Sequence, residues 1–170
     1  YEQGDYVKAL VQFRRGLEYL TPGTVTHANL AVKAGRVAYE LGNDVTALEH
    51  YRRALDSFDK ARSPGSRGFV LHSIANIFYN QGDLAQALQH YQLSLQSEER
   101  AGNVAGIASA LQGIGLVHVL NGDYALALPA YERNLAIWQA DKDKGQQAAA
   151  LQKVAGTRYA LGWLQLLTAA

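Results

Sequence analysis

Five glycines recur on a near-fixed period: Gly4, Gly42, Gly82, Gly122 and Gly162. The last four stand 40 residues apart, and the first precedes the second by 38. Self-similarity at a period of this size marks a stacked repeat. One unit of such a stack cannot bury its apolar face alone, so neighbours must cover it. The chain is thereby constrained to an elongated array of like units. Such arrays present extended surfaces to partners, and any function has to be argued from a site on that surface.

Position by position, the units share one chemistry. Gly4-Asp5, Gly42-Asn43, Gly82-Asp83 and Gly122-Asp123 each place a glycine before an Asp or Asn. A glycine after a periodic apolar segment ends a helix in the left-handed conformation, and Asp or Asn caps the next one. Each pair therefore predicts a tight turn between two helices. Five residues past each glycine stands an alanine: Ala9, Ala47, Ala87 and Ala127. Nine past is an aromatic (Phe13, Tyr51, Tyr91, Tyr131), and thirteen past is Leu17, Leu55, Leu95 or Leu135. Those offsets trace one helical face. Seven before the glycine comes a small residue, Gly35, Ala75, Gly115 or Ala155. Eleven before come Ala31, Leu71, Leu111 and Leu151, an apolar stripe on the preceding helix. Small residues on both helices let their backbones approach closely.

Recurring in register over essentially the whole chain, this pattern resembles the tetratricopeptide repeat family. The period of 40 exceeds the family's usual 34, which predicts helices about one turn longer. The proline that usually closes the unit is absent, and Pro22 and Pro64 sit instead in the inter-repeat loops Thr21–Gly23 and Ser63–Ser66. The longer variant is similar to that of many bacterial regulatory and signalling proteins. The resemblance implies an all-α fold, a right-handed α-solenoid of stacked antiparallel helix hairpins. Units are expected at about 1–22, 23–63, 64–103, 104–143 and 144–170, the last partial, in what reads as an excerpt of a longer protein. Helices are expected at about 5–20, 24–41, 43–61, 67–81, 83–101, 105–120, 123–140 and 146–161, with residues 1–3 the stub of an earlier one. Past Gly162 the pattern stops. Either the last helix is truncated, the favoured reading, or Trp163, Leu164, Leu166 and Leu167 cover the end of the stack. Pro129, inside a predicted helix, removes one backbone hydrogen bond and predicts a bend toward the convex surface.

Composition narrows the partner. At 48% apolar and 18% charged, the chain is globular in type and long enough to bury about 70% of its unfolded surface. Sixteen basic and 15 acidic residues are spread evenly along it, so neither nucleic acid nor a membrane surface is an expected partner. No apolar run reaches the length of a bilayer span. The absence of cysteine excludes disulfides and thiolate metal sites and leaves the compartment open, with the cytoplasm favoured.

In the resembled family the first helix of each pair lines the concave side. Three offsets on those helices are free of packing duty. They hold Arg36, Asn76 and Leu116; Tyr39, Tyr79 and Tyr159; and His72, Gln112 and Gln152. Asn76, Gln112 and Gln152 each offer a donor and an acceptor, which suits an extended peptide backbone. Arg36 can hold a carboxylate bidentately, and the tyrosines supply rigid contact area. Leu116 begins an apolar stretch. These nine residues form the candidate peptide-binding face, and the expected partner is a protein or peptide segment. Two further readings stay open: a regulatory segment of a larger enzyme or transcription regulator, and self-assembly through the stack ends.

Catalytic, cofactor and metal chemistry are not expected. The five histidines, His27, His50, His72, His90 and His118, show no ligand spacing, and no phosphate-cradling glycine loop occurs. Arg52, Arg53, Lys60, Arg62 and Arg67 are interleaved with Asp56 and Asp59, which reads as solvated helix surface.

Overall fold

The computed structural model describes residues 3–63 and 67–168. Eight α-helices occur among them: α1 (Gln3–Tyr19), α2 (Val25–Glu40), α3 (Asp44–Lys60), α4 (Arg67–Asn80), α5 (Leu84–Ala101), α6 (Val104–Leu120), α7 (Tyr124–Asp141) and α8 (Lys144–Thr168). The pairs α2–α3, α4–α5 and α6–α7 pack as hairpins, and α1–α2, α3–α4, α5–α6 and α7–α8 join one unit to the next. The result is an α-helical solenoid.

The turns form as their residues dictate. Gly42, Gly82 and Gly122 adopt φ of +72°, +79° and +80°. Around Gly82, the Asp83 N–H reaches back to the Phe78 carbonyl at 2.9 Å, closing the helix end. Asn43 Oδ1 accepts from the Thr46 N–H at 3.0 Å, and Asp83 Oδ1 from the Gln86 N–H at 3.0 Å. These side chains satisfy donors that a helix start leaves free. Asp123 holds the same place but makes no side-chain cap bond.

Both outermost glycines depart from expectation. Gly4 and Asp5 lie inside α1, which already starts at Gln3, so no turn forms there. Gly162 lies inside α8, which runs on to Thr168. With Trp163 in place of a capping Asp, nothing halts the helix. Trp163 and Leu164 are exposed, so they do not cover the end of the stack; the stub at Tyr1 and Glu2, Pro64 and the side chains of Leu166 and Leu167 lie outside the described residues. Pro129 is exposed and α7 is continuous through it.

The core lies between the two layers of each hairpin. Ala47, Ala87 and Ala127 are fully buried, and Tyr51, Tyr91 and Tyr131 are 2–4% exposed. The small residues opposite are required by contact. A Cβ built on Gly35 would lie 2.7 Å from the Tyr51 ring, and one on Gly115 2.5 Å from Tyr131. Buried side chains also staple helix to helix. Ser94 donates to the Gly68 carbonyl at 2.8 Å, and Asn134, at the same place one unit later, donates to that of Ala108 at 2.7 Å.

Candidate functional site

The helices α2, α4, α6 and α8 supply the walls of a groove, and tyrosines of α5 and α7 supply its floor. One compartment, of about 400 Å³, lies between α2, α4 and α6. His72, Asn76 and Tyr79 come from α4, Gln112 and Leu116 from α6, and Tyr39 from α2. Six of the nine residues expected on the concave face thus meet in one place. A second compartment, of about 570 Å³, lies between α6 and α8 and shares the Gln112 wall. Gln152 lines it, beside Lys153 and Gly156.

The other two residues lie elsewhere. Arg36 lines a separate hollow of about 400 Å³ with Lys33, Phe69, Glu98 and Asn103. Tyr159 is 75% exposed and is not among the residues lining either compartment. It stands at the position of Tyr39 and Tyr79, but in α8, which no following hairpin flanks among the described residues.

The floor is what the sequence pattern concealed. Tyr91 lines the first compartment and Tyr131 the second, although both read as core. Each is buried against its own hairpin yet turns part of its ring toward the next unit. The residue nine before the following glycine lies against that ring. Ser73 is in hydrogen-bond reach of Tyr51, a Cβ on Gly113 would lie 2.6 Å from Tyr91, and the Lys153 ammonium stands 5.7 Å from the Tyr131 ring centre. That offset recurs in sequence and was the available signal for the floor.

Polar bonds hold the first compartment in shape. The Tyr91 hydroxyl donates to Asn76 Oδ1 at 2.5 Å, which uses the amide's acceptor and leaves its N–H groups as donors. Asn80 Nδ2 donates to the Tyr39 hydroxyl at 2.7 Å, tying α4 to α2. The His72 ring sits 5.1 Å from that of Tyr91, tilted by 58°. Burial lowers the His72 pKa, so the imidazole is neutral at pH 7, and its buried Nδ1 has no partner. Burial first, and then the neighbouring Tyr79 and Tyr39, pushes the Tyr91 hydroxyl up to about 12. It therefore remains a donor at any physiological pH. No residue lining this compartment carries a charge at pH 7, and Lys153 is the one charged residue lining the second.

Such walls can pair amides and stack aromatic rings. Among the described residues no three His, Asp or Glu side chains are placed to hold a metal ion. None of the helices described is long and apolar enough to cross a membrane.

Comparison with known proteins agrees with the architecture. Residues 26–100 match the family model described as tetratricopeptide repeat. No curated protein sequence matches the chain. Among solved structures, BtubC (BKLC) from P. vanneervenii superposes with a TM-score of 0.80 at 22% identity, over 95% of this chain and 68% of that one. A Rap protein complexed with competence and sporulation factor gives 0.70 at 20% identity, over 96% of this chain and 46% of the other. Aspartyl phosphate phosphatase F from Bacillus subtilis gives 0.76 at 16%, over 95% and 45%. The chain therefore spans less than half the length of those last two, and all three likenesses are likenesses of fold. The family match, the 40-residue unit and the stacked hairpins agree: residues 26–100 match the tetratricopeptide repeat, and the helices on either side continue the same solenoid.

Proposed function

We propose that this domain is a non-catalytic protein-interaction module whose concave groove binds an extended, largely uncharged segment of a partner protein. Tetratricopeptide repeats are scaffolds for protein–protein contact, and the fold is shared with a Rap protein solved with a bound factor. The observation that carries the finer reading is the convergence of Tyr39, His72, Asn76, Tyr79, Gln112 and Leu116 on one compartment that continues past Gln112. Free amide donors and aromatic faces without charge match a peptide backbone and apolar side chains, and match acidic or basic tails poorly. The walls are held before any ligand arrives, so little ordering entropy opposes binding.

Selection of peptides from a displayed random library against the whole chain tests this. Enriched peptides are expected to be poor in charged residues and to bind with little dependence on salt. A Gln112→Ala, Asn76→Asp double variant removes the wall amide and alters the donors while keeping the oxygen that Tyr91 needs. It is expected to weaken binding about tenfold while costing no more than about 1 kcal/mol of stability, since Gln112 is exposed and the part-buried Asn76 keeps its acceptor for Tyr91. Enrichment of highly charged peptides, or equal loss of binding and fold, would refute the reading.

Self-association through the stack end has one observation in its favour. Leu151 is 50% exposed, whereas its equivalents Leu71 and Leu111 are each 4% exposed. Light scattering over a range of concentrations decides it: a mass that grows with concentration supports end pairing, and a constant monomer mass rejects it.

A further inference from the structure

A second hollow, outside the groove, lies where the C-terminal ends of α3 and α5 meet the first residue of α4. It encloses about 350 Å³ and is lined by Arg62, Arg67 and Arg100, the Ser63 and Ser97 side chains, and Asp59. The run of basic residues from Arg52 to Arg67 reads in sequence as solvated surface. The structure divides it. Lys60 pairs with Asp56 at 2.8 Å, and Arg67 pairs with Asp59. Arg62 pairs with no carboxylate, and the fold brings Arg100 in from the next unit, also without one among the described residues. The hollow therefore carries three guanidinium groups against one carboxylate.

Comparison between units shows what is missing there. Fifteen residues past their glycines stand Ser57 and Ser97; fifteen before stand His27 and Arg67. In the earlier unit the Ser57 hydroxyl is engaged by His27 Nδ1 at 2.9 Å and by the Gly23 N–H at 3.3 Å. In the later unit Arg67 turns to Asp59 instead, and Ser97, only 7% exposed, has no hydrogen-bond partner among the described residues. Its hydroxyl oxygen is not sealed in the core but opens on the hollow, where it is free to donate. Here it borders an open hollow with two unpaired arginines.

We propose that this hollow is an oxyanion site that takes a phosphate group, free or carried on a larger ligand. Arg62 and Arg100 supply planar forks suited to tetrahedral oxyanions, and the Ser97 hydroxyl supplies a further donor. Arg67, held by Asp59, contributes its field. The competing role of Arg62 and Arg100 is to complement the negative ends of α3 and α5. Under that role they would bind no ligand.

Titration of the whole chain with inorganic phosphate, followed by NMR of the arginine and serine resonances, separates the two. Saturable shifts are expected at Arg62, Ser97 and Arg100. Sulfate is expected to compete and chloride is not. O-phosphoserine and inorganic phosphate, compared side by side, distinguish an esterified from a free source. Arg62→Gly is the informative variant. Arg62 holds a φ of +52°, which glycine adopts without strain, as Gly102 does at the matching position with +68°. The variant is expected to keep or raise Tm while weakening phosphate about tenfold. Lys60→Ala, outside the hollow, is expected to leave phosphate affinity unchanged. Absence of saturable shifts at these three residues, or an Arg62→Gly variant that folds and binds phosphate as before, would overturn the proposal.

Discussion

The packing of Tyr131 on α6 gives a prediction in which one substitution has opposite signs at two sites. Gly115→Ala would add a Cβ 2.5 Å from Tyr131 Cε1 and 2.8 Å from two further ring atoms. Comfortable carbon contacts lie near 3.5–4.0 Å, so ring and backbone must separate by about 1 Å. The ring has little room, since Tyr131 is 4% exposed and Lys153 stands over its face. Overpacking of this kind costs about 1–3 kcal/mol. Replacing a helical glycine by alanine returns about 1 kcal/mol of helix propensity. With three ring atoms struck at once the cost is expected at the upper end, about 3 kcal/mol, so the net loss is about 2 kcal/mol, which for a chain of this length lowers Tm by roughly 4–8 °C. Gly156→Ala, on α8, has nothing within 4 Å of the added Cβ. It keeps the propensity gain alone and is expected to raise Tm by roughly 2–4 °C. Thermal melts by circular dichroism on the two variants suffice. A Gly115→Ala protein as stable as the parent, or a Gly156→Ala protein that loses stability, would refute the close-approach argument.

Two other predictions concern buried polar groups. Glu98 is 3% exposed where the neighbouring units carry Phe58 and Trp138, and its carboxyl sits so close to Gly68 and Gly106 that a Cβ on either would collide with it. Burial raises its pKa above the ordinary 4.5, opposed in part by a hydrogen bond from Asn103. The folded state then binds the proton more tightly than the unfolded one, so stability is full below pH 4.5 and is lost as pH rises through the folded pKa. Glu98→Gln keeps an oxygen for Asn103 and removes the charge; urea midpoints across pH are expected to show its advantage over the parent growing as pH rises above 4.5 and levelling once pH passes the raised pKa of Glu98, and a constant offset would contradict this. Asn134→Ala removes a buried 2.7 Å hydrogen bond that ties α7 to the Ala108 carbonyl of α6, for an expected loss of about 0.5–1.5 kcal/mol by urea denaturation.

The fold was legible because its determinants are local and periodic. Gly42, Gly82 and Gly122 with their Asn or Asp neighbours state the turns, and the alanine and tyrosine offsets state the packed faces. The pattern failed at Gly4 and Gly162, where glycine occurs without the tertiary setting that makes a turn. For the candidate site, first-helix offsets found the walls because wall residues share one helical face. They separated Arg36 from Asn76 less well, since where a side chain opens depends on the neighbouring unit. Arg36 faces Phe69 and Glu98 across the stack. The tyrosine floor was hidden because a ring can be buried by its own hairpin and still close a groove made by the next. The arginine hollow was hidden for a related reason: Arg100 is distant in sequence from Arg62 and joins it only when hairpins stack.

The most direct test of the interaction groove is an NMR shift map of the whole chain with a library-selected peptide. The largest changes are expected at Asn76, Tyr79, Tyr91 and Gln112, extending across Gln152. Changes confined to the outer faces of α3, α5 and α7, or to the exposed end of α8, would contradict a concave binding surface.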